Sequence, residues 1–320
     1  SPMSRGLGDV YKRQTLHQAV HGTQETQRHD NGFVRFEVVV MVDVTLLGSA
    51  QDGGVPQVGC DCCIDLEQRY PVSIGLTDAE GGKHLFEATR HLGDQLRIWG
   101  CNSVESVFLT HAHIGHVDGL GLFGKETMAA KGVNLYCSKM MLDLIERTPH
   151  WSVLLADGVF IPKVANVYQL PGVIVEAIEV PHRDELSDMH AYLIKAEKTL
   201  LFLPDHDTWQ ETLRGHDLRA WLNHFEVDIA LIDGTFYSAD ELKHRDQSKV
   251  PHPPVEQTLE MLGERREGDA EVVFIHLNHT NPLCRDDTPV TELGWKVGKE
   301  GMSFSPVSYT HLRAHETSEN

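Results

Sequence analysis

Six residues able to bind a metal lie at the ends of apolar runs: His111, His113, His116, His182, Asp205 and His276. The first three fall in HAHIGH, directly after the apolar, β-branched run VESVFLT at 104–110. Imidazoles two residues apart at a strand end reach one cation, and a third returns from the next turn. His182 closes VIVEAIEVPH (173–182), Asp205 closes TLLFLPD (199–205) and His276 sits within EVVFIHL (271–277). Four strand ends therefore offer nitrogen or carboxylate donors to one edge, the arrangement a divalent cation needs. With 20 histidines in 320 residues a chance HxH pair carries little weight, and some histidines belong to the core or the surface. The repetition of one geometry at separate strand ends is what favours metal binding.

Cys60, Cys62 and Cys63 in GCDCC form a second cluster, together with His279, three residues beyond His276. Thiolates and one imidazole make a closed tetrahedral zinc site that serves structure, because no coordination position stays open. Such a clamp ties the first loop to the last core strand. The competing readings are free thiols or a disulfide. A Cys62–Cys63 bridge between neighbours is strained, and a chain read as cytoplasmic keeps its thiols reduced. Cys101 and Cys137 read as small buried apolar residues, and Cys284 stands close enough to His279 to be a reserve ligand.

These donors need a scaffold of strands. Apolar runs predict strands at 42–48, 71–77, 84–89, 104–110, 133–137, 173–180, 190–196, 199–204, 227–232, 271–277 and 301–304. Apolar spacing of three and four predicts helices at 117–130, 138–147, 208–224 and 254–263. Strands and helices without strict alternation point to an α/β fold of two mixed sheets packed together with helices outside. Gly53-Gly54 and Pro56 mark a loop after the first strand, and the lack of GK[ST] there excludes a P-loop.

The chain ends read differently from the middle. Residues 1–14 and 306–320 look like sequencing-adapter read-through, and 15–40 reads as an uncertain or non-native leader, with Met41 as the native start. That leaves one domain at 41–305, long enough to bury a two-layer core without staples. The run FVRFEVVVMV (33–42) is too short and too charged to span a bilayer, so no membrane partner is expected. A balance of 28 basic and 47 acidic residues gives a net charge of −19, which repels long nucleic acid. A small substrate is expected instead.

HAHIGH, His182, Asp205 and His276 resemble, in order, the signature of the metallo-β-lactamase superfamily. LLGSAQDGGVPQVGCDCC (46–63), VPHRDE (180–185), LPDHD (203–207), DGTFY (233–237) and IHLNHTNP (275–282) look like the branch containing pyrroloquinoline quinone biosynthesis protein B and phosphodiesterase relatives. The resemblance spans roughly 42–304 and implies an αββα sandwich. It implies a first cation on His111, His113 and His182, a second on His116 and His276, and Asp205 bridging them. Zinc is expected, with iron or manganese as the other candidates. Where the superfamily has an aspartate between the second and third motif histidines, this chain has Gly115. The second ion is then weak, absent, or completed by water or another carboxylate, with Asp118, Asp184 and Asp207 as candidates that read otherwise as ordinary or supporting acids. The relatives' CxCxxC pattern leaves the third ligand of the cysteine site as Cys63 or Asp65.

In tRNA 3′-processing relatives a Thr-Phe motif is followed by a loop histidine near the scissile phosphate. DGTF (233–236) and VPHPP (250–254) place His252 comparably, with Asp233 orienting it. His252 is therefore a candidate general acid, against the plainer reading of a turn histidine between two prolines. Arg183 and Arg245 are candidates to bind an anionic group, or are surface ion-pair partners. The expected reaction is hydrolysis of a small phosphodiester or ester by a hydroxide held on the cation, with Asp205 positioning it and His252 as acid. The alternatives are an oxidative role in quinone-cofactor biosynthesis and a non-catalytic scaffold, the latter supported by Gly115. Homodimers are common in the superfamily, so a second copy is a candidate partner.

Overall fold

The computed structural model describes residues 36–242 and 249–313. Residues 1–35 and 314–320 of the expected adapter and leader segments lie outside the described residues, as does Arg245. The chain divides into two compact units, Met41–Ser308 and the two ends beyond it, and the site lies in the first.

The first six strands are β1 (Phe36–Gly48), β2 (Ser73–Thr77), β3 (Lys83–Phe86), β4 (Ser106–Phe108), β5 (Val133–Tyr136) and β6 (Phe160–Lys163). The next seven are β7 (Val167–Leu170), β8 (Val173–Val180), β9 (Met189–Lys195), β10 (Thr199–Leu203), β11 (Val227–Asp233), β12 (Glu271–Ile275) and β13 (Lys296–Val297), and β14 (Ser303–Arg313) returns to the first group. Among the described residues they make two seven-stranded sheets, ordered β14-β1-β2-β3-β4-β5-β6 and β13-β12-β11-β10-β9-β8-β7. Both are mixed: β3, β4 and β5 run parallel, as do β10, β11 and β12, while β1–β2 and β8–β9 are antiparallel.

Alternation sends one face of each sheet into the space between them. Leu46, Ile74, Phe86 and Phe108 meet Tyr192, Phe202, Leu231 and Val273 there. Phe86 stacks on Phe108 at 4.5 Å, and Tyr192 meets both rings edge-on at 5.3 and 5.6 Å. The Tyr192 hydroxyl donates to the Leu109 carbonyl at 2.7 Å, fastening the second sheet to the run that leads into HAHIGH. The central strands are apolar on both faces because helices cover the outside.

Eight helices pack outward among the described residues: α1 (Leu92–Trp99), α2 (Ile114–Val117), α3 (Lys139–Arg147), α4 (Pro149–Ala156), α5 (Trp209–Leu213), α6 (Leu218–His224), α7 (Val255–Leu262) and α8 (Thr288–Thr291). Leu92, Leu96, Met141, Ile145 and Leu154 cover Leu85, Val107 and Leu135 of the first sheet. Trp209, Trp221, Leu222 and Leu259 cover Leu201, Ala230 and Val272 of the second. Side-chain caps start three helices: Ser138 accepts from Met141 N at 3.0 Å, Thr208 from Glu211 N at 3.2 Å and Asp217 from Ala220 N at 3.2 Å.

Two helical expectations need correction. Apolar spacing predicts a helix over 117–130, but the chain makes only the short α2 and a 3-10 turn at Leu120–Phe123. Gly119 packs so tightly that a Cβ would stand 2.0 Å from the Thr89 carbonyl oxygen, so this segment follows its tertiary contact rather than its periodicity. The helix expected over 208–224 breaks into α5 and α6, because Arg214 (φ 49°) and Gly215 (φ 90°) are left-handed. Strands β6, β7 and β13 were not expected; they are four, four and two residues long, and all three lie at a sheet edge with exposed side chains. Helices α1, α4 and α8 were missed as well. In α1 the buried face includes Gln95, which breaks the apolar pattern.

Candidate metal centre

The sheets end together, and the loops leaving those ends carry the donors. β4 stops at Phe108 and leads into His111 and His113; β8 stops at Val180 before His182; β10 stops at Leu203 before Asp205; β12 stops at Ile275 before His276. His276 takes φ 61°, an uncommon conformation for a residue with a side chain, which is held by Leu277 N donating to the Ser49 carbonyl at 2.9 Å.

Three nitrogens converge first. His113 Nδ1 lies 2.8 Å from His111 Nε2 and 3.3 Å from His182 Nε2. Donors about 2.05 Å from a shared tetrahedral cation stand roughly 3.3 Å apart, so this spacing suits one ion. Each ring is aimed by its other nitrogen: Thr110 Oγ1 is 2.9 Å from His111 Nδ1, Asp207 Oδ1 is 3.1 Å from His182 Nδ1, and Glu185 is 3.5 Å from His113 Nε2. Burial drives the His111 imidazole well below its ordinary range, lowers that of His113, and takes that of His182 down to about 3. All three are thus neutral lone-pair donors.

A second set surrounds His116 and His276. Asp205 Oδ2 is 3.4 Å from His116 Nε2 and 3.5 Å from His276 Nε2, while Asp52 Oδ1 is 3.4 and 3.8 Å from the same two nitrogens. The other Asp205 oxygen, Oδ1, faces His182 Nε2 and His252 Nδ1, each at 3.8 Å, so one carboxylate presents an oxygen to each set. Thr235 Oγ1 lies 2.7 Å from His276 Nδ1, and Glu87 Oε1 3.6 Å from His116 Nδ1. Burial favours a neutral His116, but the Glu87 and Asp205 carboxylates outweigh it and push the imidazole well above its usual range. Burial also works to raise Asp205, yet the surrounding histidines, His276 first, hold it below the usual carboxylate range.

The donors fit cations on this structure's own terms. Asp205 Oδ2 and His276 Nε2 are buried and lack a hydrogen-bond partner among the described residues. Each such orphan costs about 1–3 kcal/mol, a cost that a shared ion removes. Imidazoles with carboxylates are zinc ligands, an imidazole proton such as that favoured on His116 being released on binding, and they accept iron or manganese as well.

Asp233 and His252 stand beside the two sets. His252 Nδ1 is 2.7 Å from Asp233 Oδ2, and Thr235 Oγ1 donates to Asp233 Oδ1 at 2.7 Å. Burial opposes charge on the imidazole, but Asp233 overcomes it and raises the His252 pKa. Asp233, buried too, is held well below its ordinary range by His252. At the rim, Arg183 Nη2 is 3.3 Å from His113 Nδ1 and its Nη1 3.9 Å from Glu185. A cleft of about 940 Å³ opens alongside, lined by Asp52, Arg90, Phe236, Asn278 and Cys62 among others.

The three carboxylates weighed as candidates for the second set take the plainer role of ordinary or supporting acids. Asp118 pairs with Arg90 at 2.7 Å, Asp184 is exposed, and Asp207 turns to His182 Nδ1 and to the Arg183 amide. Asp52, Glu87, Thr110 and Thr235 were missed by sequence reasoning. Only Asp52 had a signal, an acid in the glycine loop after the first strand of a chain short of one carboxylate.

At the cysteine cluster, Cys60, Cys62 and His279 bring donor atoms within 4.8 Å of one another, and the Cys60 and Cys62 sulfurs are 2.8 Å apart. The shared hydrogen bond lowers the Cys60 thiol and pushes that of Cys62 up to about 11. Cys63 is buried, and its sulfur accepts from the Gln57 amide at 3.2 Å. Asp65 points to Arg285, with contacts of 3.0 and 3.1 Å. Cys284 donates to the Asn278 carbonyl at 3.5 Å, and burial pushes its thiol up to about 11. None of the six cysteines is joined in a disulfide.

This fold and donor set define a class. The beta-lactamase superfamily domain matches residues 86–277, and the chain belongs to that superfamily. Within it, the likeness is to the PqqB-like branch. The chain is 24% identical to the coenzyme PQQ synthesis protein B of Azotobacter vinelandii, over 82% of this chain and 99% of that one. It is likewise 24% identical to the Methylococcus capsulatus protein of the same name, with the same coverage. Among solved structures, zinc-bound PqqB from Methylobacterium extorquens superposes with a TM-score of 0.62 at 22% identity, over 82% of this chain and 99% of that one. A diphosphatase of the PhnP family superposes with a TM-score of 0.62 at 18% identity, over 86% of this chain and all of that one. The human short-form tRNase Z gives 0.52 at 17% identity, over 83% of this chain and 99% of that one. No helix of the described residues is long and apolar enough to cross a membrane.

Proposed function

We propose that this chain is a metal-dependent hydrolase acting on a small anionic phosphodiester or ester. One observation carries the reading: Asp205 presents one oxygen to each of two ligand sets, with the Asp233–His252 pair alongside. Cations held there would acidify a water and polarise the scissile bond. His111, His113 and His182 would hold one ion and His116 and His276 the other, and Asp205 would serve both. The likeness to a diphosphatase and a tRNase Z supports the fold such chemistry uses.

The remaining residues handle charge and protons. Asp233 raises the His252 pKa against the opposing effect of burial, and with Nδ1 engaged the other ring nitrogen is left to protonate a departing oxygen. Arg183, at the rim against His113, is placed to meet an anionic oxygen. The cleft of about 940 Å³ is of small-molecule size, and the net charge of −19 disfavours long nucleic acid. Cys60, Cys62 and His279, with Cys63 as a further candidate, would hold a zinc ion that fixes the first loop.

A second reading draws on the match to coenzyme PQQ synthesis protein B along nearly its whole length: the same donors would hold iron for an oxidative step in quinone-cofactor biosynthesis. A panel of phosphodiesters and esters, run with and without oxygen on wild type and His113→Ala, separates the two. Hydrolysis lost in His113→Ala supports the first reading and oxygen uptake the second. Silence, with metal only at the cysteines, defeats both.

A further inference from the structure

The second ligand set holds two imidazoles and Asp205, and the superfamily motif puts its remaining carboxylate at the position occupied here by Gly115. We propose that Asp52 is a direct ligand of the second cation, supplying that carboxylate from the loop after β1. This deepens the hydrolase reading and rests on its metal centre.

Three observations carry the assignment. Asp52 Oδ1 lies 3.4 Å from His116 Nε2 and 3.8 Å from His276 Nε2, and Asp205 Oδ2 lies 3.4 and 3.5 Å from the same atoms. These separations exceed the 2.7–3.2 Å or so of a good hydrogen bond, and the three at 3.4 to 3.5 Å sit near the roughly 3.3 Å edges of a tetrahedron around one zinc ion, with the Asp52–His276 edge longer at 3.8 Å. His276 Nε2 and Asp205 Oδ2, both buried, face the same point without a hydrogen-bond partner among the described residues. Finally, a Cβ on Gly115 would stand 2.3 Å from Asp52 Oδ1 and 2.6 Å from Asp52 Cα. The Asp52 loop therefore fills the space a motif aspartate needs. Glycine at 115 is the counterpart of a relocated ligand, which removes the support that Gly115 lent to an inactive scaffold.

The loop is anchored to keep Asp52 there. Gln51 N donates to the Leu277 carbonyl at 2.9 Å, one residue past His276, and Gly54 N to the Gln51 carbonyl at 2.8 Å. Asp52 also lines the cleft, so the second ion would face incoming substrate.

The test is zinc titration by chelator competition on wild type, Asp52→Ala, Asp52→Asn and Gly115→Ala, with melting temperatures of the metal-free proteins. Both Asp52 variants should retain one zinc equivalent fewer than wild type, or bind the second catalytic ion at least about 10-fold more weakly, with the first ion unaffected. Gly115→Ala removes no donor, yet should weaken the same step by displacing Asp52. Wild-type zinc count and affinity in Asp52→Ala, with only the metal-free melting temperature lowered, would overturn the proposal, since Asp52 would then merely pair with His116. A wild-type chain that binds zinc but hydrolyses nothing strikes the hydrolase reading, and the titration still decides the ligand.

Discussion

His252 and Asp233 meet across 2.7 Å, and the carboxylate holds the buried imidazole's proton above its ordinary range. If His252 is the general acid, kcat/KM falls as pH rises through that raised pKa. Asp233→Asn removes the larger raising charge and leaves burial, which lowers the pKa, opposed by Asp205 alone, so the alkaline limb should move to lower pH. A pH profile of both proteins checks the sign. A limb unmoved in the variant assigns it to another group.

His252→Ala should slow turnover by about 100-fold or more, the usual contribution of a positioned acid, while leaving zinc content close to wild type. Substrates with good leaving groups should suffer less. An equal loss for every leaving group would point to a binding role instead.

His113 Nδ1 is one of the three converging donors, beside His111 Nε2 and His182 Nε2, so His113→Ala should cost more than the roughly 100-fold that losing an outer partner costs in metal affinity or activity. Zinc content and turnover should fall together. Retained turnover would remove the cation from the reaction.

Cys60→Ser should remove one zinc equivalent without abolishing hydrolysis. A structural ion adds to folding energy, so a loss of about 2 kcal/mol would lower Tm by roughly 4–8 °C. Unchanged zinc content and Tm would return the cluster to plain thiols.

Much of the scaffold was legible in the sequence, because its central strands are long apolar runs: β8 spans the expected 173–180, and β9, β10 and β12 lie within two residues of expectation. Edge strands β6 and β7 were not, since half-exposed runs such as FIPK carry no strong alternation. The histidines and Asp205 were legible because they end those strong strands. Asp52 and Glu87 were not: each is an isolated acid on a loop or strand end, brought to His116 only by tertiary packing. The helix expected over 117–130 failed for a related reason, as Gly119 is committed to contact with Thr89.

The most direct test is metal analysis of the purified chain before and after chelation, coupled to hydrolysis of a phosphodiester and ester panel. Chelation should strip the ions and the activity together, and added zinc should restore both. Hydrolysis that persists in demonstrably metal-free protein would contradict the account.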